Sequence, residues 1–229
     1  MAYLKRLFGE EWYEILKPII ISGLLSDIAK KVNASRKNHV VIPPRGDCSM
    51  FRAFRETPYS KVKVVILGQD LYNSYEGDIP AFDGLAFSNN NTYHTSTSLK
   101  NILIELENSL SDGLDLKINI KKDLTPWAMQ GVLLINTTHS VIKGQPGSHL
   151  HLWKEFTEYV LKKLSEKADL VWLLPGQKFI NYKDQITNRS HVVICTVDPS
   201  SCDDTIIGSN CFNEINEELN IRNISKIVW

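Results

Sequence analysis

The chain has 229 residues, of which 43% are hydrophobic and 23% are charged, which is the composition of a globular protein that buries a substantial core. Its 26 basic and 26 acidic residues give a formal net charge of zero, which excludes the broad positive field of a high-affinity DNA-binding protein. No apolar stretch is long enough for a membrane span, and the four cysteines form no CxxC pair, which argues against a zinc ribbon and fits reduced thiols in the cytoplasm.

The N-terminal segment predicts an amphipathic first helix. Its sequence, MAYLKRLFGEEWYEILKPIIISG, places apolar residues at helical spacing with acidic residues between them, unlike a signal peptide with a basic start. No repeat, low-complexity stretch or flexible linker follows. We therefore expect one domain over residues 1–229, with residues 1–42 as its helical N-terminal segment.

Four short apolar runs rich in β-branched residues predict buried parallel strands. They are Val62 to Leu67, Val132 to Ile135, Leu170 to Leu174 and Val192 to Val197. Between them lie amphipathic segments, Ser98 to Leu110 and Leu152 to Lys167. The alternation predicts an α/β fold with a central four-stranded parallel sheet flanked by helices.

Polar or turn-forming residues follow each of the four runs, in the order Gly68-Gln69-Asp70, Asn136, Pro175-Gly176-Gln177 and Asp198-Pro199-Ser200. The carboxyl ends of parallel strands share one edge of the sheet, where ligands bind in open α/β folds. Taken singly, these side chains have ordinary roles as helix caps or turn residues. Taken together, they predict a binding site at that edge.

The segments around these positions resemble the commonest family of uracil-DNA glycosylases. The matching motifs are KVVILGQDLYN, GLAFS, GVLLINTTHSV, SHLHLWKEF and VDPSS, in the family's order and at nearly its spacing. The resemblance runs from Pro43 to Trp229 and implies that family's fold, with a pocket at the strand ends. It also implies a monomeric enzyme that hydrolyses the N-glycosidic bond of uracil in DNA, preferably in single strands, and that needs no metal and no organic cofactor.

The resemblance assigns roles in the pocket to five residues. Asp70 is expected to stabilise the cationic sugar and to orient the attacking water. Phe87 would stack on the flipped base, and Tyr72 would stand against its C5 edge and exclude the methyl group of thymine. The Asn136 amide would pair with O4 and N3–H of uracil, and Gln69 belongs to the same pocket.

Contacts with DNA are assigned in the same way. Ser98 and Ser200 match serines that grip phosphates, and Gly176 matches a glycine whose backbone amide approaches the DNA. Cys202 stands where the family has a leucine that wedges into the base stack, and Asp203 replaces a serine that meets a phosphate. Repulsion would therefore replace attraction at Asp203.

Other departures fall on the chemistry itself. Asp198 stands where the family has a histidine that donates a hydrogen bond to the uracil oxygen that becomes negative. The loss of one such donor costs about 3 to 4 kcal/mol, on the order of a thousandfold in rate. Leu71 and Asn73 replace a proline and a histidine, and Ser96-Thr97 replaces two prolines, which predicts looser loops. A longer connection over residues 74–83 has no assigned role.

Several readings of these departures stay open. The first is a glycosylase with severely weakened hydrolysis, and the second is an active enzyme with an altered pH optimum or substrate, in which a protonated Asp198 beside Asp70 donates the missing hydrogen bond. The third is a catalytically dead relative that binds DNA or a DNA-mimicking inhibitor protein. A metal site at His149 and His151, with His139, is a weaker alternative, because His149 matches a structural Ser-His pair of the family.

The acidic loop generates a prediction about duplex binding. Replacement of Cys202 with Leu and Asp203 with Ser is expected to tighten binding to uracil-containing duplex DNA several-fold at low salt, because it restores the wedge and removes a charge that repels phosphate. Titration of labelled duplex in a salt series measures the change. Equal affinity of the parent and the double variant would contradict the interpretation of this loop.

Overall fold

The computed structural model of the protein describes residues 2–111, 121–201 and 206–229. Cys202 and Asp203, which the sequence assigns to DNA contact, therefore lie outside the described residues. Within the described ranges, no helix is both long enough and apolar enough to span a bilayer.

Helices and strands alternate along the described chain. The α-helices are α1 (Ala2–Phe8), α2 (Glu10–Ile21), α3 (Leu24–Ser35), α4 (Arg52–Glu56), α5 (Thr97–Ser111), α6 (Thr125–Met129), α7 (Leu150–Ser165), α8 (Ile180–Lys183) and α9 (Cys211–Ile221). The strands are β1 (Val41–Ile42), β2 (Val64–Gly68), β3 (Tyr75–Glu76), β4 (Ile79–Pro80), β5 (Val132–Asn136), β6 (Val141–Ile142), β7 (Val171–Pro175) and β8 (Val192–Thr196). Short 3-10 turns cover Cys48–Phe51, Tyr59–Lys61 and Gln177–Phe179.

The central sheet has four parallel strands in the order β5-β2-β7-β8, which confirms the predicted fold class. Every residue of β2, β5 and β7 is buried, as expected for strands that are covered on both faces. The register pairs Gly68 at the end of β2 with Asn136 at the end of β5, and Pro175 of β7 with Thr196 of β8. The polar strand ends therefore meet at one edge of the sheet.

The long helices occupy the segments that amphipathic spacing predicts. In α7, Trp153, Phe156, Val160 and Leu164 are all buried, which confirms the predicted apolar face. Helix α5 starts at the residue before the predicted boundary, because the Ser96 hydroxyl accepts the Leu99 amide and caps the first turn.

The single N-terminal helix expected from the sequence is wrong. The segment forms α1 and α2, which meet at Gly9, whose φ is 79°. Residues with a side chain rarely adopt this left-handed backbone, so the glycine lets the chain turn between two amphipathic helices. The turn allows Phe8 and Trp12 both to be fully buried in the main core.

A buried aromatic cluster on the α1 and α7 side of the sheet encloses His139. Its ring lies within 6 Å of the ring centroids of Phe51, Phe54, Trp153 and Phe156. Nδ1 lies 3.3 Å from the carbonyl oxygen of Met50, whereas Nε2 is buried without a hydrogen-bond partner. Burial lowers the pKa of His139 to about 4, so the side chain is neutral at physiological pH.

This histidine predicts a loss of stability in mild acid. Between its ordinary pKa near 6.5 and its folded pKa of about 4, the unfolded chain binds a proton that the folded chain does not, so stability falls as pH drops through this window. The full loss attributable to His139 is roughly 3 kcal/mol. His139→Leu is expected to remove that part of the pH dependence.

Urea unfolding of the parent and His139→Leu at pH 8 and pH 5 measures the effect. His151 lies on the exposed side of α7, so His151→Leu provides a matched histidine-to-leucine control. The expected result is that only His139→Leu narrows the difference in free energy of unfolding between the two pH values. An unchanged difference would show that His139 takes up its proton in the folded state.

Candidate active site

One cavity of about 520 Å³ opens at the carboxyl ends of the sheet strands. Its walls contain eight of the sequence-predicted site residues, namely Gln69, Asp70, Tyr72, Phe87, Ser98, Asn136, Asp198 and Ser200. The structure thus brings together side chains that lie up to 131 positions apart in the sequence, counted from Gln69 to Ser200. The predicted convergence of the strand ends accounts for this arrangement.

Asn136 is held against the backbone of Gly68. The Asn136 side chain is buried, and a Cβ atom at position 68 would lie 2.2 Å from its Oδ1 and 3.1 Å from Cβ of Ala86. Gly68 has an ordinary strand conformation, so space rather than backbone freedom requires glycine there. The pairing of Gly68 with Asn136 therefore fixes where the amide enters the cavity.

Asp70 has one engaged and one free carboxylate oxygen. Oδ2 accepts the backbone N–H of Gly147 at 2.9 Å, whereas Oδ1 is buried and has no hydrogen-bond partner among the described residues. Burial raises the pKa of the Asp70 carboxyl above its ordinary value, against the opposing Gly147 hydrogen bond and the charge of Lys178. No described residue therefore engages Oδ1 of Asp70.

The Tyr72 hydroxyl joins three segments of the cavity wall. It donates to the Phe87 carbonyl at 2.6 Å and accepts from the Ser96 hydroxyl at 2.8 Å. Burial raises the pKa of Tyr72, so it stays a neutral donor. Ser96 also caps α5, so the segment that lacks the family's prolines is held by hydrogen bonds instead.

Phe87 has a strained backbone, with φ at 65°. An aromatic residue rarely adopts this conformation outside functional sites, and the surrounding structure must maintain it. Asp83 helps to maintain this backbone conformation. Its buried carboxylate accepts hydrogen bonds from the backbone N–H groups of Leu85 and Asn90 and from the Ser88 hydroxyl. Burial raises the pKa of Asp83, and these hydrogen bonds oppose that shift.

The segment after Asp70 is anchored by burial. Leu71, which replaces the family's proline, packs with Ile42, Phe82 and Val141 in a small apolar cluster. The longer connection over residues 74–83 forms the β3–β4 hairpin and supplies Phe82 to the same cluster. The insertion therefore supports the cavity wall next to Leu71.

Asp198 does not have the environment that its protonation would require. Its Oδ2 lies 2.6 Å from the Lys178 ammonium, and its Oδ1 accepts the backbone N–H and the hydroxyl of Ser200. Burial raises the pKa of Asp198, but the bonds from Lys178 and Ser200 outweigh it and leave the pKa below its ordinary value. These contacts favour an ionised Asp198 and do not support the reading in which a protonated Asp198 donates to the base.

Two expected DNA contacts also change. The Gly176 amide donates to the Thr196 carbonyl at 2.9 Å and continues the β7–β8 ladder, so its N–H is already engaged within the protein. The Ser200 hydroxyl donates to Asp198 at 2.7 Å, so its proton is already engaged. Ser98 lies half-buried in the first turn of α5, where its hydroxyl lines the cavity.

The histidines considered for a metal site have structural roles. His149 is buried, with Nδ1 at 2.8 Å from the Ser140 hydroxyl and Nε2 at 3.1 Å from the Ser35 hydroxyl. His139 lies in the aromatic cluster described above, and His151 is exposed on α7. The described ranges contain no group of three or more potential metal ligands.

Three residues that contribute to the site were not predicted from the sequence. Lys178 comes shortly after a predicted strand, and that position could have indicated that it lies at the same edge of the sheet. Ser96 precedes the amphipathic stretch of α5, so an N-cap pattern identifies it as a cap but not as a partner of Tyr72. The support that Asp83 gives to Phe87 depends on backbone strain that no residue pattern reveals.

The chain matches known proteins over most of its length. A family model described as Uracil DNA glycosylase superfamily matches residues 54–220. Uracil-DNA glycosylase 1 of Listeria innocua is 38% identical over 222 residues, covering 95% of this chain and 96% of that protein. Uracil-DNA glycosylase of Borrelia duttonii is 35% identical and covers 90% of each chain.

Solved structures share the fold. The crystal structure of mimivirus uracil-DNA glycosylase has a TM-score of 0.86 and 25% identity, covering 99% of this chain and 88% of the other. A variant of the mimivirus protein in complex with UGI has a TM-score of 0.85 at 24% identity, covering 99% of this chain and 90% of the other.

The close approach at Gly68 predicts that Gly68→Ala mimics removal of the Asn136 amide. The added methyl group cannot share space with Oδ1, so the side chain must leave its position. Binding of free uracil is expected to weaken at least about tenfold in Gly68→Ala and in Asn136→Ala, because each variant loses the hydrogen bonds between the Asn136 side-chain amide and the base.

The double variant Gly68→Ala/Asn136→Ala is the control. It is expected to bind uracil no more weakly than Asn136→Ala and to be more stable than Gly68→Ala, because the clashing oxygen is gone. Calorimetric titration and thermal unfolding measure the two quantities. Additive losses of affinity in the double variant would show that Gly68 acts independently of Asn136.

Proposed function

The chain belongs to the uracil-DNA glycosylase superfamily, and we propose on this premise that it recognises uracil in DNA and hydrolyses the N-glycosidic bond slowly. The observation that carries the proposal is the shared cavity of Asp70, Tyr72, Phe87 and Asn136 at the strand ends. A pocket that reads a base and presents a carboxylate to its sugar is the minimum that this reaction requires.

Recognition of the base follows from the cavity walls. The Phe87 ring offers a face on which a flipped base stacks, and Tyr72 limits the space at one edge. The buried Asn136 amide has a donor and an acceptor, which pair with uracil and leave cytosine mismatched. An unpaired amide in a buried position is costly, which gives the discrimination its size.

Hydrolysis would use the free oxygen of Asp70. The departing base leaves a cationic sugar, and an ionised carboxylate stabilises that charge and orients water toward it. The Gly147 hydrogen bond fixes the carboxylate while leaving Oδ1 for this purpose. No metal or organic cofactor takes part in this scheme.

The proposed slowness has one main cause. At position 198 the family motif has a histidine that donates to the base, whereas this chain has an ionised carboxylate that can only accept. A binding role without turnover is the second candidate, and the same carboxylate is the observation that favours it. A mimivirus relative has been crystallised with UGI, so such a role would include capture of an inhibitor that imitates DNA.

Uracil release from single-stranded DNA tests the proposal, with protein in excess at neutral pH. The parent is expected to release uracil slowly, and Asp198→His is expected to release it at least about tenfold faster, because a donor returns to the oxygen where charge develops. Asp70→Asn is expected to abolish the gain.

The outcomes separate the candidates. A parent already as fast as Asp198→His would show that Asp198 is no handicap and that the enzyme is fully active. No release by either protein, together with binding of free uracil that Asn136→Ala weakens, would identify the binding role. Loss of uracil binding itself would contradict both.

A further inference from the structure

We propose that Lys178, which forms an ion pair with Asp198, stabilises the negative charge of the departing base. A histidine at position 198 would end this ion pair but would itself donate to the base, so the gain expected for Asp198→His does not depend on Lys178. The inference rests on the proposed hydrolysis and names a further residue for that reaction. It gives the ion pair a part of the task that the family motif assigns to one histidine.

The position of Lys178 is set by the turn that carries its backbone and by the ion pair of its side chain. It lies in the 3-10 turn Gln177–Phe179, directly after β7, and its ammonium is 2.6 Å from Asp198 Oδ2. Asp198 is fixed in turn, because its other oxygen accepts two hydrogen bonds from Ser200. Its carboxylate also packs against Gly176, where a Cβ atom would lie 3.3 to 3.5 Å from Asp198 atoms.

The charges that line the cavity single out Lys178. Asp70 and Asp198 contribute two carboxylates, and among the described lining residues Lys178 alone has a positively charged side chain. Its charge also reaches Asp70, where it favours the ionised carboxylate. Without Lys178, the cavity would present two negative charges to a base that leaves as an anion.

The reaction explains why a cation is needed on the base side. When the bond between C1′ of the sugar and N1 of uracil breaks, its electron pair leaves with the base and spreads onto the two carbonyl oxygens of the base. Water bonds to C1′, and its proton passes through Asp70 to solvent, where the base anion is protonated. Asp70 faces the cation of this separated pair, and Lys178 faces the anion.

The ion pair keeps the ammonium in place before the reaction begins. A free lysine has a flexible four-carbon stem, whereas Asp198 holds this one in a single direction. Both side chains retain 30 to 39% of their exposure, so a base that enters the cavity can contact the ammonium without breaking a buried pair. A positive charge already aimed at the leaving group requires little reorganisation.

A contact with phosphate is the competing role for Lys178. The side chain also borders a neighbouring groove lined by Gly176, Ile180 and Ser201, which continues the surface outside the cavity. A phosphate contact would change DNA affinity and its salt dependence but not the rate of bond cleavage in bound DNA. The two roles therefore differ in measurable quantities.

Single-turnover rates on saturating single strands test the role in catalysis, with uracil or 5-fluorouracil as the base. Lys178→Met is expected to slow uracil release at least about tenfold, and to slow 5-fluorouracil release several-fold less, because fluorine makes the base a better anion. Lys178→Arg is expected to retain the rate within about threefold, since it keeps the charge. Lys183, exposed at the end of α8, provides the control Lys183→Met, which is expected to leave both rates unchanged.

A binding measurement tests the same site without turnover. Barbiturate is a planar pyrimidine that is an anion at neutral pH and stands in for the departed base. Lys178→Met is expected to weaken barbiturate binding at least about fivefold more than uracil binding, because only the anion loses an opposite charge.

The two measurements separate failure of this proposal from failure of the proposed function. Equal losses on both bases and both ligands, or a loss confined to DNA affinity with a shallower salt dependence, would overturn the role of Lys178. If the variants at Lys178 release the base as fast as the parent, the role of Lys178 is overturned but the proposed hydrolysis is not. If no variant releases the base, but Lys178→Met weakens barbiturate binding more than uracil binding, the proposed hydrolysis is contradicted. The interaction of Lys178 with an anionic base is then still supported.

Discussion

The parallel pairing of β2 with β5 and β7 is the constraint from which the cavity follows. These strands are buried on both faces, so their side chains pack the core and leave no room for chemistry along their length. Polar groups can enter only where the strands end, and the register puts Gly68 beside Asn136 at that point. A shift of the pairing by one residue would move the amide out of the cavity.

Sequence patterns predicted what depends on local periodicity and strand order. The β-branched runs and the amphipathic face of α7 located the sheet and its cover, and the strand ends located Asp70 and Asn136. Contacts between distant side chains were beyond that reasoning. Proximity of Asp198 to Lys178 depends on the turn after β7, and no local pattern indicates this ion pair. The break at Gly9 was within reach, since a glycine interrupts the apolar spacing there.

The cavity handles charge by separating two carboxylates with different surroundings. Asp70 has little solvent contact and one hydrogen bond to its carboxylate, so its pKa rises, whereas Asp198 is ion-paired and its pKa falls. Environments of this kind give similar groups different tasks. Here one oxygen of Asp70 has no hydrogen-bond partner among the described residues, whereas Asp198 holds a cation.

The hydroxyl of Tyr72 has a consequence for how this protein can change over evolution. One phenol connects the carbonyl of strained Phe87 with the hydroxyl that caps α5. A substitution at Tyr72 that admits a larger base would also remove a support of the stacking ring and of the helix start. Replacement of Tyr72 therefore disturbs the Phe87 backbone and the start of α5 together, so a new side chain at this position requires compensating changes at both places.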